Sequence, residues 1–443
     1  DVYKRQLFTC PQLCCFSSEM KFIIKYQFTS WLPQLNSQVW ILGIGRCISQ
    51  LGIGFTLFYT TIFFVNQLGF SATSVGLALG SASVAGILGR LVASSLCDSS
   101  VCGRRRTLLL SATLSAIAAA ILAATNSFAL LVIGNLLLGF GQGLYWPTID
   151  TVITDLISPS QCQDTFAVMR VMDYVGLGVG ILLGGEIVGL TGAYRALFLC
   201  NAVGFVVFFM LVYTKVTETY QPQKSSSRIK GNWSAALSDR CLLVYAIANT
   251  MAVVYASQFQ AVLPLYWKNF AVADSTVEQG FSVTTISILF GWHVLLAIVC
   301  QLPITRALKR WSPPHAMIFS TLMWALGFVV IWVTGIAPSV RLGWAILATE
   351  IFAIAAVSLT PAAVSIVNSL APPSQRSVYF AINSLCGSLG YIIGPPLGTW
   401  VLDRSPQMAD RYWLFLAAST VFTIGILQYL HRLLQQRTVV SYQ

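Results

Sequence analysis

The stretches "PTIDTVITDLISPSQCQDTFAVMRVMDYVGLGVGILLGG", Pro147 to Gly185, and "PAAVSIVNSLAPPSQRSVYFAINSLCGSLGYIIGPPLGT", Pro361 to Thr399, align without a gap at an offset of 214 residues. Pro147 matches Pro361, Leu156 matches Leu370, Phe166-Ala167 matches Phe380-Ala381, and Leu183 matches Leu397. The triplet Pro159–Gln161 recurs as Pro373–Gln375, and Gly176, Gly180 and Gly184 recur as Gly390, Gly394 and Gly398. Apolar sequence of low complexity matches by chance at Leu and Ala. A shared turn followed by a shared glycine ladder is harder to obtain that way. One half of the chain repeats the other in the same direction.

Composition says what each half is made of. The chain has 443 residues, 56% hydrophobic and only 9% charged, with a mean hydropathy of +0.73. A soluble protein carries about 25% charged residues. Apolar runs recur along the whole length, each long enough to cross roughly 30 Å of hydrocarbon as a helix. They lie near 39–65, 72–97, 106–125, 128–153, 165–190 and 194–214, then near 241–267, 281–303, 316–335, 341–367, 377–402 and 411–434. The expected fold is an all-α polytopic membrane protein of twelve transmembrane helices in two parallel six-helix pseudo-repeats. It divides into a leader, 1–38, a first bundle, 39–214, a polar linker, 215–240, a second bundle, 241–434, and a tail, 435–443. The leader opens on "DVYKRQ", which reads like translated adaptor sequence, so Met20 is the expected start and the first span the expected insertion signal.

The formal net charge of +11 would suggest nucleic acid in a soluble protein, but none of the recognition motifs for it is found. Lys and Arg instead divide by side, fourteen in one set of loops, the linker and the tail against five in the other. That asymmetry puts both termini and the linker in the cytoplasm, with the plasma (inner) membrane as the expected location. The eleven cysteines are scattered, singly apart from Cys14-Cys15 in the leader, and no metal site or cofactor is expected.

Parallel six-helix repeats flanking a midplane site are one way secondary transporters are built. The loop "SLCDSSVCGRRRTLLL", Ser95 to Leu110, adds a Leu, an Asp, then a Gly followed by basic residues between the second and third spans. With that loop and the repeat, the chain resembles the major facilitator superfamily from about Val39 to its C-terminus. The loop departs from the family pattern in two ways: Ser94 stands where the pattern begins with Gly, and two extra residues separate Asp98 from Gly103. The resemblance implies a gate on the cytoplasmic side. Arg104, Arg105 and Arg106 anchor the loop and are candidates to pair with Asp150 and Asp155, and Asp98 is a candidate to cap a helix in the other half. Close packing and an antiporter motif both account for "GILLGG", Gly180 to Gly185, where Ile181 replaces the family's Pro.

Ionisable side chains inside spans are expensive and mark function by default. Arg46, Arg90, Asp150, Arg170 and Asp173 all fall in the cytoplasmic half of the first bundle and are expected to form one paired network. Two roles remain open for it, a structural gate and direct binding of substrate or proton, with Arg46 and Asp173 foremost for the latter. The repeat places Val364, Ser369, Ser384 and Gly387 opposite Asp150, Asp155, Arg170 and Asp173, so the shared scaffold does not require these charges. Glu350 reads as an unpaired buried carboxylate suited to carrying a proton, with His293 as a partner or as a core histidine. Gln50, Tyr59, Gln142, Tyr145, Asn249, Tyr255 and Gln258 supply a polar and aromatic cavity lining for an amphipathic solute.

The leading expectation is a monomeric, proton-coupled exporter of small organic solutes working by alternating access within the lipid bilayer. Uptake or facilitated diffusion of a sugar or metabolite is the alternative within transport. A membrane enzyme fits less well, since histidine occurs only at 293, 315 and 431. The chain carries no phosphate-binding loop for ATP.

Overall fold

A computed structural model of the chain describes residues 35–99, 101–158, 161–219, 233–270, 280–337, 339–372 and 375–441. Most of the leader, the middle of the linker and the first two residues of each P-S-Q triplet lie outside these. Twelve described helices are long and apolar enough to cross a membrane. They are α1 Ser37–Gln67, α2 Ala72–Cys97, α3 Gly103–Ala124, α4 Phe128–Leu156, α5 Cys162–Thr191, α6 Tyr194–Lys215, α7 Arg240–Asn269, α8 Val283–Leu308, α9 Pro313–Ile336, α10 Arg341–Leu370, α11 Arg376–Leu402 and α12 Pro406–Ser441. The largest departure from the hydropathy spans is α12, which continues into a polar tail because helix propensity outlasts hydrophobicity there.

Short side chains set the helix starts. Ser71, Ser127 and Ser282 each accept a hydrogen bond from the backbone N–H three residues on, and the Asp239 carboxylate does the same for Cys241 and Leu242 at the start of α7. Gly103 opens α3 with φ +66°, and a Cβ there would lie 2.5 Å from the Glu218 carboxylate. That carboxylate accepts from the backbone N–H groups of Arg104 and Arg105 at 2.9 and 3.1 Å. The glycine of the loop motif therefore makes room for a carboxylate cap on the positive end of α3.

Within each half the same helices pack together. α2 lies on α4 as α8 lies on α10, and α3 on α6 as α9 on α12. The glycine ladders seat α5 on α1 and α11 on α7. A Cβ at Gly176 or Gly180 would fall 2.2 Å from the backbone carbonyl of Cys47 or Leu51, and one at Gly390 or Gly394 would meet Val253 or Ser257. The second face of α5 also carries glycines, with Gly185 and Gly189 against Ser287 and Thr284 of α8.

The halves meet along two seams, α2 on α11 and α5 on α8. The Arg104–Arg106 loop marks one end of the bundle, here the basic end. At the opposite end Asp403, just past α11, accepts from the N–H groups of Ala72 and Thr73 at 2.9 and 2.7 Å and from the Thr73 hydroxyl at 2.5 Å. Asn66 and Asn269 exchange amide hydrogen bonds of 2.8 and 3.0 Å beside it. Deeper, the Phe58 and Phe290 rings stack at 4.0 Å, and Tyr59 meets Ser287 at 2.7 Å.

Candidate functional site

Arg46 stands about 14 Å along α1 from its basic end, at 1.5 Å of rise per residue, and only 4% of it is exposed. Its Nε and Nη2 donate to both carboxylate oxygens of Asp173 on α5 at 3.0 and 2.6 Å. Its Nη1 donates to Asp150 on α4 at 2.7 Å. The guanidinium also lies over the Trp146 ring, 5.1 Å from its centre. One buried cation thus holds two carboxylates from two helices. A lone arginine at this depth is costly, and paired, charge-assisted hydrogen bonds offset that cost.

The triad walls a cavity of about 300 Å³, lined further by Gln50, Phe166, Arg170, Tyr174 and Leu177. The Asp150 side chain is 47% exposed and the Asp173 side chain 12% exposed, so the cavity mouth lies at Asp150. Two cations, two anions and aromatic walls give a compartment able to hold a small polar or amphipathic solute.

The remaining expected residues divide by place. Arg170 joins the cavity without an ion pair to the triad, and Arg90 stands apart, donating to Ser388 on α11 at 2.6 Å. The five-member network therefore divides, because Arg90 faces the α2–α11 seam. Both amide atoms of Gln142 are buried without a hydrogen-bond partner. Tyr145 packs edge-on to Trp146 and Phe208, inside the first half. Asn249 donates to Asn383 at 3.1 Å, and Gln258 reaches the Gly394 carbonyl at 2.8 Å from a π-helical turn, Gln258–Val262. Tyr255 turns away to Ser419 and Thr423 of α12, so it packs the second half instead of lining a cavity.

Glu350 departs from its expected setting. It is half-buried, and its carboxylate accepts from Trp292 at 3.3 Å. His293, one residue on, points to the Thr349 carbonyl at 3.1 Å and lies tilted against the Phe259 ring. Successive helix residues point about 100° apart, so neighbours on α8 meet different partners on α10.

The three arginines of the basic loop are tied to their own half. Arg104 pairs with Asp155, whereas Asp150 is taken by Arg46. Arg105 reaches the Tyr213 carbonyl and lies over that ring, and Arg106 reaches the Val101 carbonyl. Asp98 is the C-cap residue of α2. Two residues that tie helices together escaped the sequence reading. Asp403 looked like an ordinary loop charge, and its position directly after a span was the available signal. Asn383 lacked any charge to draw notice.

Comparison with known proteins places this geometry. The family profile described as Major Facilitator Superfamily matches residues 42–272 and 267–439. The MFS-type transporter YttB of Bacillus subtilis is 24% identical over 369 residues, covering 82% of this chain and 88% of the relative. A Na(+), Li(+), K(+)/H(+) antiporter of Planococcus maritimus is 26% identical over 328 residues, covering 67% of this chain and 75% of that protein. The multidrug resistance protein MdtH of Shigella boydii is 24% identical over 401 residues, covering 88% and 92%. Among solved structures, the nucleoside transporter NupG superposes with a TM-score of 0.75 at 15% identity, covering 89% of this chain and 99% of that one. A peptide transporter POT superposes with a TM-score of 0.71 at 16% identity, covering 92% and 99%.

Proposed function

The chain belongs to the major facilitator superfamily, and from that premise we propose that it exports a small organic solute by alternating access in exchange for protons. It is a multi-pass membrane transporter and not an enzyme. The basic end faces the cytoplasm of a plasma membrane, with both termini on that side, in keeping with the excess of Lys and Arg there.

The observation that carries this reading is the ionic triad buried inside the first bundle, with Asp150 at its exposed edge. Asp150, Arg46 and Asp173 place two carboxylates against one arginine in a water-reachable cavity. That set has a net charge of −1, and it becomes neutral on gaining one proton. With Arg170 on the wall, the whole cavity passes from neutral to +1 on the same proton, and such a group is a coupling element because its charge sets the cost of moving the cavity past the membrane midplane. The cross-half contacts at Asp403, Asn66 and Tyr59 hold the far end together, which supports reading the cavity as the cytoplasmic one. Arg104, Arg105 and Arg106 with Asp155 form the cytoplasmic gate frame, and Asp98 belongs to the same loop. Export is favoured over uptake by similarity to MdtH and to the Planococcus antiporter, whose names describe drug resistance and cation–proton exchange. The protein acts as a monomer, each copy carrying its own cavity.

The test is transport in proteoliposomes of a panel of cationic, neutral and anionic solutes, with and without a pH gradient. A gradient acid on the outside of inward-facing protein should drive solute outward at least severalfold over the gradient-free rate. Equal rates with and without the gradient would replace exchange by facilitated diffusion.

A further inference from the structure

Resting on the proton-coupled reading above, we propose that Asp150 is the carboxylate that takes up and releases the proton, and that Asp173 stays ionised as the fixed counter-ion of Arg46. The two acids look alike in the sequence, each one buried in a span of the first half. Their geometry separates them.

Asp173 engages Arg46 through both oxygens, at 3.0 and 2.6 Å, and its side chain is 12% exposed. Adding a proton to it would break a two-point ion pair and leave the guanidinium, itself 4% exposed, held by one partner. Two-point arginine–carboxylate pairs are among the strongest hydrogen-bonded arrangements, and losing one partner of a buried pair is costly. Asp150 contributes one oxygen to one Nη1 contact of 2.7 Å, and 47% of its side chain is exposed. Its protonation costs a single contact, and Arg46 keeps the Asp173 pair.

The charged groups acting on Asp150 are Arg46 from α1 and Asp173 and Arg170 from α5. Tyr145, on its own helix, also neighbours the triad. The proton arrives from the aqueous mouth of the cavity and adds to a carboxylate oxygen of Asp150. The neutral carboxyl so formed accepts only as an uncharged carbonyl, so the charge-assisted bond from Nη1 weakens and that donor is free to turn toward the cavity. When the cavity faces the other side, the same O–H gives its proton back to water and Nη1 is recaptured. The triad thus alternates between a net charge of −1 and zero without Asp173 leaving Arg46.

Infrared pH-difference spectroscopy of the full chain in lipid tests this with the proton as the only probe. Spectra compared between about pH 5 and pH 9, above the range where exposed carboxylates titrate, should contain the C=O stretch of a protonated carboxyl. Asp150→Asn should remove that band, Asp150→Glu should return it at a shifted frequency, and Asp173→Asn should keep it. Absence of the band in the wild type, its survival in Asp150→Asn, or its loss in Asp173→Asn alone would overturn the assignment. If Asp173→Asn does not fold, the Asp150→Asn and Asp150→Glu pair decides by itself. The measurement involves no cargo. Failure of gradient-driven transport would therefore sink the exchange reading and leave this assignment standing, and a misplaced band would do the reverse.

Discussion

In the first half, α5 rests on α1 through Gly176 and Gly180, and an ionic triad of Arg46, Asp150 and Asp173 sits beside that seam. In the second half, α11 rests on α7 through Gly390 and Gly394 in the same way. Near the corresponding level stands a neutral network instead, with Tyr245 and Asn249 donating to Asn383 at 2.5 and 3.1 Å. Gly387, which the repeat aligns with Asp173, has no atom within 4 Å of where its Cβ would lie. The helix contacts are common property of the two halves. The charges are an addition to one of them, made at a place the other half leaves open.

The comparison can be broken most forcefully at Arg46. Arg46→Ala leaves Asp173 buried without its cation, and removing one partner of such a pair costs about 3–5 kcal/mol. The matching change in the neutral half, Asn383→Ala, is expected to cost about 1 kcal/mol, the net worth of an ordinary hydrogen bond. Thermal unfolding in lipid nanodiscs measures both, and equal losses would mean that the triad has no special weight in the fold.

Next come the glycines. Gly180→Ala forces a methyl group against the Leu51 carbonyl and should destabilise by about 1–3 kcal/mol. Gly387→Ala fills open space in a helix, and replacing Gly by Ala there should stabilise by about 0.5–1 kcal/mol. Opposite signs in the same assay would separate a shared packing rule from an open position. Two losses of similar size would erase the distinction.

A smaller effect is expected at the closed end. Asp403→Ala removes the carboxylate that crosses from α11 to the Ala72 and Thr73 N–H groups beside the Ser71 cap, worth about 1 kcal/mol, and that amount should move the equilibrium about fivefold toward a state open on that side. The loss can be read as slower disulfide formation between cysteines placed at positions 66 and 269. Unchanged cross-linking would show that the end stays closed without Asp403. The smallest effect belongs to the gate frame. Arg104→Ala, at a partly exposed ion pair with Asp155, should change stability by less than about 1 kcal/mol, so any large loss of transport in that variant would be kinetic.

The fold was legible because its signals are periodic and long. Apolar spans, the split of basic loops and the gapless repeat each extend over tens of residues, and their agreement fixes twelve helices in two parallel halves. The charged cluster was half legible: Arg46, Asp150 and Asp173 stand out as ions in hydrocarbon, but their division of contacts depends on rotamers and helix rotation. Arg90 was grouped with them by depth alone, and depth does not say which seam a helix face meets. Glu350 was read as lacking a partner because Trp292 carries no charge, although an indole N–H serves a carboxylate well. Asp403 was passed over because capping is local geometry, invisible until α2 and α11 lie side by side.

The two glycine-bearing faces of α5 have a mechanical consequence. One face meets backbone on α1, and the other meets the small side chains Ser287 and Thr284 on α8. Large interdigitated residues lock helices in place, whereas a bare surface lets one slide against its neighbour with little repacking. The α5–α8 seam crosses from one half to the other, so packing of this kind would let the halves slide there with little friction, with the aromatic stack of Phe58 on Phe290 as the stiffer point about which they would turn.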